Sequence, residues 1–174
     1  MNALPTSGTG RPPSEQPEPP SGEPVLPQRR HLPHEVPPWV GPGARHFVTI
    51  NARDRGSAPF AAPSVAQALL DNLVIYQEQG RWYLWLAVIM PDHLHFIATF
   101  NMGYVMARSI SAWKGFQTRK LKVAFQSGFF DHRLRDDDAF VEKMTYIREN
   151  PVRKELVAHA DDWPYVYDAA KPVG

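Results

Sequence analysis

Trp82-Tyr83-Leu84-Trp85-Leu86-Ala87-Val88-Ile89-Met90-Pro91-Asp92-His93-Leu94-His95-Phe96-Ile97-Ala98-Thr99-Phe100 is the stretch on which the fold turns. Residues 82–90 are apolar without interruption and rich in aromatic and β-branched types, which predicts a central strand. Pro91-Asp92 signals a turn. The residues after it alternate. Leu94, Phe96, Ala98 and Phe100 fall on one face of a second strand, and His93, His95, Ile97 and Thr99 on the other.

Outward from this pair of strands, residues 46–52 are short and β-prone. Pro63-Ser64 opens a helix through Gln79, with Val65, Leu69, Leu73 and Tyr76 at helical spacing and Gly80 as its stop. Downstream, residues 105–121 predict a basic helix carrying Ile110, Trp113 and Phe116, and residues 128–135 a loop with room for a short strand. One of Asp136, Asp137 or Asp138 caps a last helix that runs toward Asn150, where Pro151 ends or kinks it. The expected order is β, α, β, β, α, an optional β, then α. That is an α+β fold, an antiparallel-rich sheet with helices on one face.

Of 18 prolines, 12 lie between Pro5 and Pro42, in a stretch with few large apolar residues. Such a segment buries too little apolar surface to offset its backbone entropy, so residues 1–43 are expected to be a disordered tail. Residues 44–168 are the expected single domain and 169–174 a C-terminal tail; a second domain does not fit in 174 residues. The longest apolar run is about half what a membrane-spanning helix needs. The N-terminus lacks a basic region followed by an apolar one, so no secretory signal is read. The absence of cysteine removes disulfides, thiolate metal sites and cysteine nucleophiles. A cytoplasmic protein with no membrane partner is expected.

Net charge is +1, but the distribution is uneven. Residues 93–130 contain no Asp or Glu while carrying Arg108, Lys114, Arg119, Lys120 and Lys122, with Trp113, Phe116 and Phe125 interleaved. The stretch reads either as a surface that tracks a phosphate backbone or as an ordinary solvated helix face.

His93 and His95, at i and i+2 of a strand, project from one face and form either a metal half-site or an incidental pair. On the last helix, Phe140, Met144 and Ile147 lie within about 60° of one another at 100° per residue and make a core face. Tyr146 falls about 120° from that face with Asn150 one turn on. Its hydroxyl could serve a site or simply meet water, and Asn150 could be a C-terminal cap.

Taken in order, the blocks Met90-Pro91-Asp92-His93-Leu94-His95-Phe96, Ser111-Ala112-Trp113-Lys114-Gly115-Phe116, Gly128-Phe129-Phe130-Asp131-His132-Arg133-Leu134-Arg135, Tyr146-Ile147-Arg148-Glu149-Asn150-Pro151-Val152-Arg153 and Asp162-Trp163-Pro164-Tyr165 resemble the single-tyrosine HUH transposases. The likeness is greatest to the REP-associated tyrosine transposases and spans about residues 45–168. Asp92 stands where that family usually has Asn, and Phe125 where it commonly has Trp.

The resemblance implies a ferredoxin-like HUH nuclease fold acting on single-stranded and hairpin DNA as monomer or homodimer. It implies Tyr146 as nucleophile, His93 and His95 as ligands of Mg²⁺ or Mn²⁺, and Asn150 as a candidate third ligand. Arg108, Lys114, Arg119, Lys120 and Lys122 would then contact DNA phosphates, and Trp113 would either stack on a base or pack in the core. Asp131 and His132 fit a family block without a derived role; a tie between their loop and the last helix is the simplest reading. Two functions follow: cleavage and rejoining of palindromic DNA through a 5′-phosphotyrosine, or a non-catalytic, domesticated hairpin-binding protein. An unrelated metallohydrolase would use the histidines but leave the later blocks unexplained.

Overall fold

The computed structural model describes Met1 and residues 43–171. The expected tails fall largely outside these residues.

Five strands form one antiparallel sheet: β1 (Arg45–Asn51), β2 (Trp82–Ile89), β3 (His93–Phe100), β4 (Phe130–Leu134) and β5 (Val166–Asp168), in the order β4-β1-β3-β2-β5. Helices α1 (Pro63–Glu78), α2 (Met106–Leu121), α3 (Asp137–Arg148) and α4 (Asn150–Arg153) complete the chain with a short 3₁₀ turn at Ala160–Asp162. The first six elements, β1-α1-β2-β3-α2-β4, make the ferredoxin-like unit. The optional strand is β4, and β5, not expected from the sequence, adds to the far edge beside β2.

The ends of the helices follow the local chemistry. Gly80, at φ +69°, leaves α1 through the left-handed region, and its N–H reaches back to the Gln77 carbonyl. Asp136 caps α3, its carboxylate accepting from the Ala139 N–H at 2.7 Å. Pro151, which has no N–H to give, interrupts the last helix: α3 ends at Arg148, and α4 resumes at Asn150.

Helices cover both faces of the sheet, not one. Leu94, Phe96, Ala98 and Phe100 pack under α1 and α2 with Leu69, Leu73, Ile110 and Trp113. On the other face, Phe47, Leu86, Val88 and Ile97 receive Met144 and Ile147 of α3, with Phe140 packed against them. The stripe Phe140, Met144 and Ile147 needs apolar sheet surface, and the first face is already filled. A bulge at Trp85 makes this second face available. Leu84 pairs with Ala98 and Leu86 with Ile97, so the extra residue switches the parity of β2 and turns Leu86 and Val88 toward α3. An uninterrupted apolar run carries no parity of its own, which is why the second layer is invisible in residues 82–90.

Trp113 is fully buried and packs against Phe125, so of its two readings the core one holds. Trp113→Ala is expected to cost about 3–5 kcal/mol, read by denaturant unfolding of the two proteins. A loss below about 1 kcal/mol would mean that this core refills around the deletion. Among the described residues no helix is long and apolar enough to cross a membrane.

Candidate functional site

His93 and His95 lie on the α3 face of β3, both less than 7% exposed. Their neighbours across the strands are Asn51 and Thr49 of β1, and Val88 of β2 lies opposite His95. The two Nε2 atoms converge to 3.1 Å, with ring centroids 4.6 Å apart. Each Nδ1 is held from behind: His93 by Asp92 Oδ1 at 2.6 Å, His95 by Thr49 Oγ1 at 2.8 Å.

These partners assign the protons. An ionised carboxylate only accepts, so His93 Nδ1 carries the hydrogen and neutral His93 presents a lone pair at Nε2. The Thr49 hydroxyl donates or accepts, so it permits either tautomer of His95. With Nδ1–H of His95 donating to Thr49, both Nε2 lone pairs face the same point. That is a two-nitrogen half-site with its outer hydrogen bonds in place.

Electrostatics keep the pair neutral near pH 7. Burial pushes His95 down to about 3, helped by His93 and Lys143 nearby. Burial also lowers His93, and the bond to Asp92 only partly offsets this. Burial raises the Asp92 carboxyl, but its bonds to His93 and to Arg55 Nε (2.5 Å) outweigh that and hold it below its ordinary value.

Tyr146 leans on this pair from α3. Its ring centroid is 6.1 Å from that of His95 and 6.4 Å from that of Phe47, both edge-on. The ring is 37% exposed, so the tyrosine borders the site and still meets solvent. Lys143 Nζ lies 4.8 Å and Arg153 Cζ 5.0 Å from the ring centre. Asn150 is buried, and its amide nitrogen donates to the Tyr146 carbonyl at 3.4 Å. This leaves Oδ1 as the atom able to ligate a cation. Among the described residues no three His, Cys, Asp or Glu side chains cluster as a metal cage. His93 and His95 are therefore at most part of a coordination sphere.

The basic stretch lies elsewhere. Met106, Ile110 and Trp113 dock α2 on the Leu94 face, so the sheet stands between α2 and the histidines. Arg108, Arg119, Lys120 and Lys122 are exposed on that far layer. Lys114 is half-buried, and its ammonium donates to the Gln126 and Gly128 carbonyls at 2.6 Å each, so it holds the loop that leads to β4. Burial lowers its pKa. Phe116, expected in the core stripe, is 36% exposed with Lys120 Nζ 5.6 Å from its ring centre. Asp131 faces His46 of β1 at 3.8 Å.

The cations that border the site come from segments the charge pattern does not single out: Arg55 from the β1–α1 loop, Lys143 from α3, and Arg153 and Lys154 at the end of α4. They come from three separate stretches of the sequence, so only the fold collects them. The one local signal is helical spacing, which places Lys143 one turn before Tyr146.

No family model matches the chain. A curated REP-associated tyrosine transposase of Escherichia coli (strain K12) is 27% identical over 131 residues, 71% of this chain and 75% of the relative. A solved REP-associated tyrosine transposase bound to a REP hairpin superposes with a TM-score of 0.64 at 24% identity, over 72% of this chain and 77% of that one. By sequence and by fold, then, the chain's likeness is to the REP-associated tyrosine transposases.

Proposed function

We propose that the protein cuts and rejoins single-stranded DNA at hairpin-forming palindromic repeats through a covalent link between Tyr146 and a 5′ phosphate. The observation that carries this reading is the meeting of Tyr146 with the His93–His95 pair within a single chain, ring to ring at 6.1 Å. The hairpin in the related solved structure supports the choice of DNA.

His93 and His95 would hold a divalent metal, with Asn150 Oδ1 as candidate third ligand. The residues fit: two neutral imidazoles converge at Nε2, each oriented from behind, and oxygens from water and DNA would fill the sphere. Nitrogen donors suit Mn²⁺ better than the harder Mg²⁺. Bound there, the ion would supply positive charge to offset that of a phosphodiester. Tyr146 stands on the solvent side of the pair, where a strand can enter. Its phenolic oxygen bonds to phosphorus as the P–O3′ bond breaks, and the phenol's proton is replaced, through solvent, on the departing 3′ oxygen. One phosphodiester is exchanged for another, so rejoining needs no external energy source. With tyrosine and histidines supplied by one chain, the reading is cleavage in cis. Arg108, Arg119, Lys120 and Lys122, across the sheet, would serve duplex or flanking DNA away from the reacting phosphate.

The test is denaturing electrophoresis of the protein mixed with Mn²⁺ and an end-labelled single-stranded hairpin oligonucleotide. A protein–DNA adduct retaining the label of the 3′ fragment, and lost with chelator, is expected. Salt-sensitive binding without any adduct, indifferent to chelator, would establish the non-catalytic hairpin binder instead.

Asp92 is expected to matter through His93. Asp92→Ala frees the imidazole to turn and to change tautomer, and should weaken Mn²⁺ binding about 10–100-fold by calorimetry. Unchanged affinity would deny the carboxylate any part in orienting the ligand.

A further inference from the structure

Counting charge around the tyrosine leaves a surplus. Arg55 and Asp92 neutralise one another at 2.5 Å. Two more arginines on this side of the fold are also paired, Arg45 with Asp137 and Arg148 with Asp168. Lys143 and Arg153 are different. Among the described residues neither has a carboxylate within ion-pair distance, yet both are held against the same ring, at 4.8 and 5.0 Å. Lys143 Nζ also lies 5.0 Å from the Phe47 ring centre.

Two cations beside one aromatic ring repel each other, and a surface lysine loses rotamer freedom when it is fixed there. Attraction of the rings to each cation offsets part of this. It does not account for leaving both heads unpaired on the rim of a site that would also receive a divalent metal. A site rimmed by unpaired cations lacks an anion, and both Lys143 and Arg153 border the tyrosine ring.

We infer that Lys143 and Arg153 are a phosphate clamp, gripping the phosphodiester of a single DNA strand beside Tyr146 so that its phosphorus faces the phenol oxygen. This deepens the reading of Tyr146 as nucleophile and rests on it. The break at Glu149 and the restart at Asn150 belong to the device. Lys143 rides on α3 and Arg153 on α4, so the clamp spans the interruption imposed by Pro151. Guanidinium suits the bidentate grip and ammonium the point contact. Held before the substrate arrives, both act without reorganising.

The test pairs a binding measurement with a rate. Lys143→Gln, Arg153→Gln and the double variant are titrated with a fluorescent single-stranded hairpin oligonucleotide in chelator, across a salt series. Their adduct rates are then measured in Mn²⁺ at saturating DNA. The slope of log affinity on log salt should become shallower by about 0.7 for each cation removed from a single strand. The adduct rate at saturation should fall by roughly 10²-fold in the double variant, on the scale of losing a transition-state donor. Lys143→Arg and Arg153→Lys, which keep the charge and the ring contact, should keep the slope. A double variant with the wild-type slope and rate overturns the clamp. If either glutamine variant misfolds, a charge-keeping variant that loses the slope overturns it as well. A wild-type protein that binds but never forms an adduct would defeat the tyrosine chemistry, while the salt slopes would still decide the clamp.

Discussion

Tyr146→Phe is expected to abolish covalent capture of single-stranded hairpin DNA, by roughly 10⁴-fold or more, the scale of losing a nucleophile. The substitution removes one oxygen and nothing else. The ring stays edge-on to His95 and Phe47, and Lys143 and Arg153 keep their aromatic contact. Stability should change by less than about 0.5 kcal/mol, since the ring is partly exposed and, among the described residues, no hydrogen bond holds the fold through its hydroxyl. Hairpin affinity should be nearly unchanged. Loss of the adduct with retained fold and binding isolates the chemistry at one atom. An adduct that persisted in the phenylalanine protein would move the nucleophile elsewhere, and the assignment would fall.

Replacing either histidine by alanine should reduce Mn²⁺ affinity by at least about 100-fold, measured by calorimetry or by the Mn²⁺ resonance signal in solution. The two substitutions reach the same loss by different routes. His93→Ala leaves Asp92 bonded to Arg55 alone and removes the better-fixed of the two nitrogens. His95→Ala leaves Thr49 facing a gap beside Phe47 and Tyr146, so it should also cost some stability, about 1 kcal/mol or more, from the lost packing. DNA binding in chelator should survive both changes, since neither removes a cation. Undiminished Mn²⁺ affinity in both variants would place the metal away from β3.

Much of the site was legible before the fold. Alternation along β3 put both imidazoles on one face, and helical geometry put Tyr146 beside the core stripe of α3 with Asn150 one turn away. These are local rules, and the residues obeyed them. Asp136 as cap and Gly80 as stop are of the same kind. What escaped notice depends on partners distant in sequence. The helices were expected on one face because the Leu94 face was the evidently apolar one. The second layer exists because the Trp85 bulge turns Leu86 and Val88 over, and a run apolar at every position conceals such a switch. The 93–130 cations were expected to contact DNA phosphates, with no face of the sheet assigned to them. The apolar stripe of α2 takes it to the Leu94 face, and the same alternation that aligned the histidines sends their neighbours the other way.

The sequence by itself determined which side chains share a face: His93 with His95, Phe140 with Met144 and Ile147, and Tyr146 apart from that stripe. The periods of strand and helix are set by backbone geometry and need no distant contact. Only the tertiary structure decided what covers each face. Burying β3 on both sides takes helices drawn from segments far apart in the chain, and their docking is a competition for apolar surface, not a local rule. That competition placed Tyr146 against His95, carried the basic helix to the far side of the sheet, and gathered Arg55, Lys143 and Arg153 around the site.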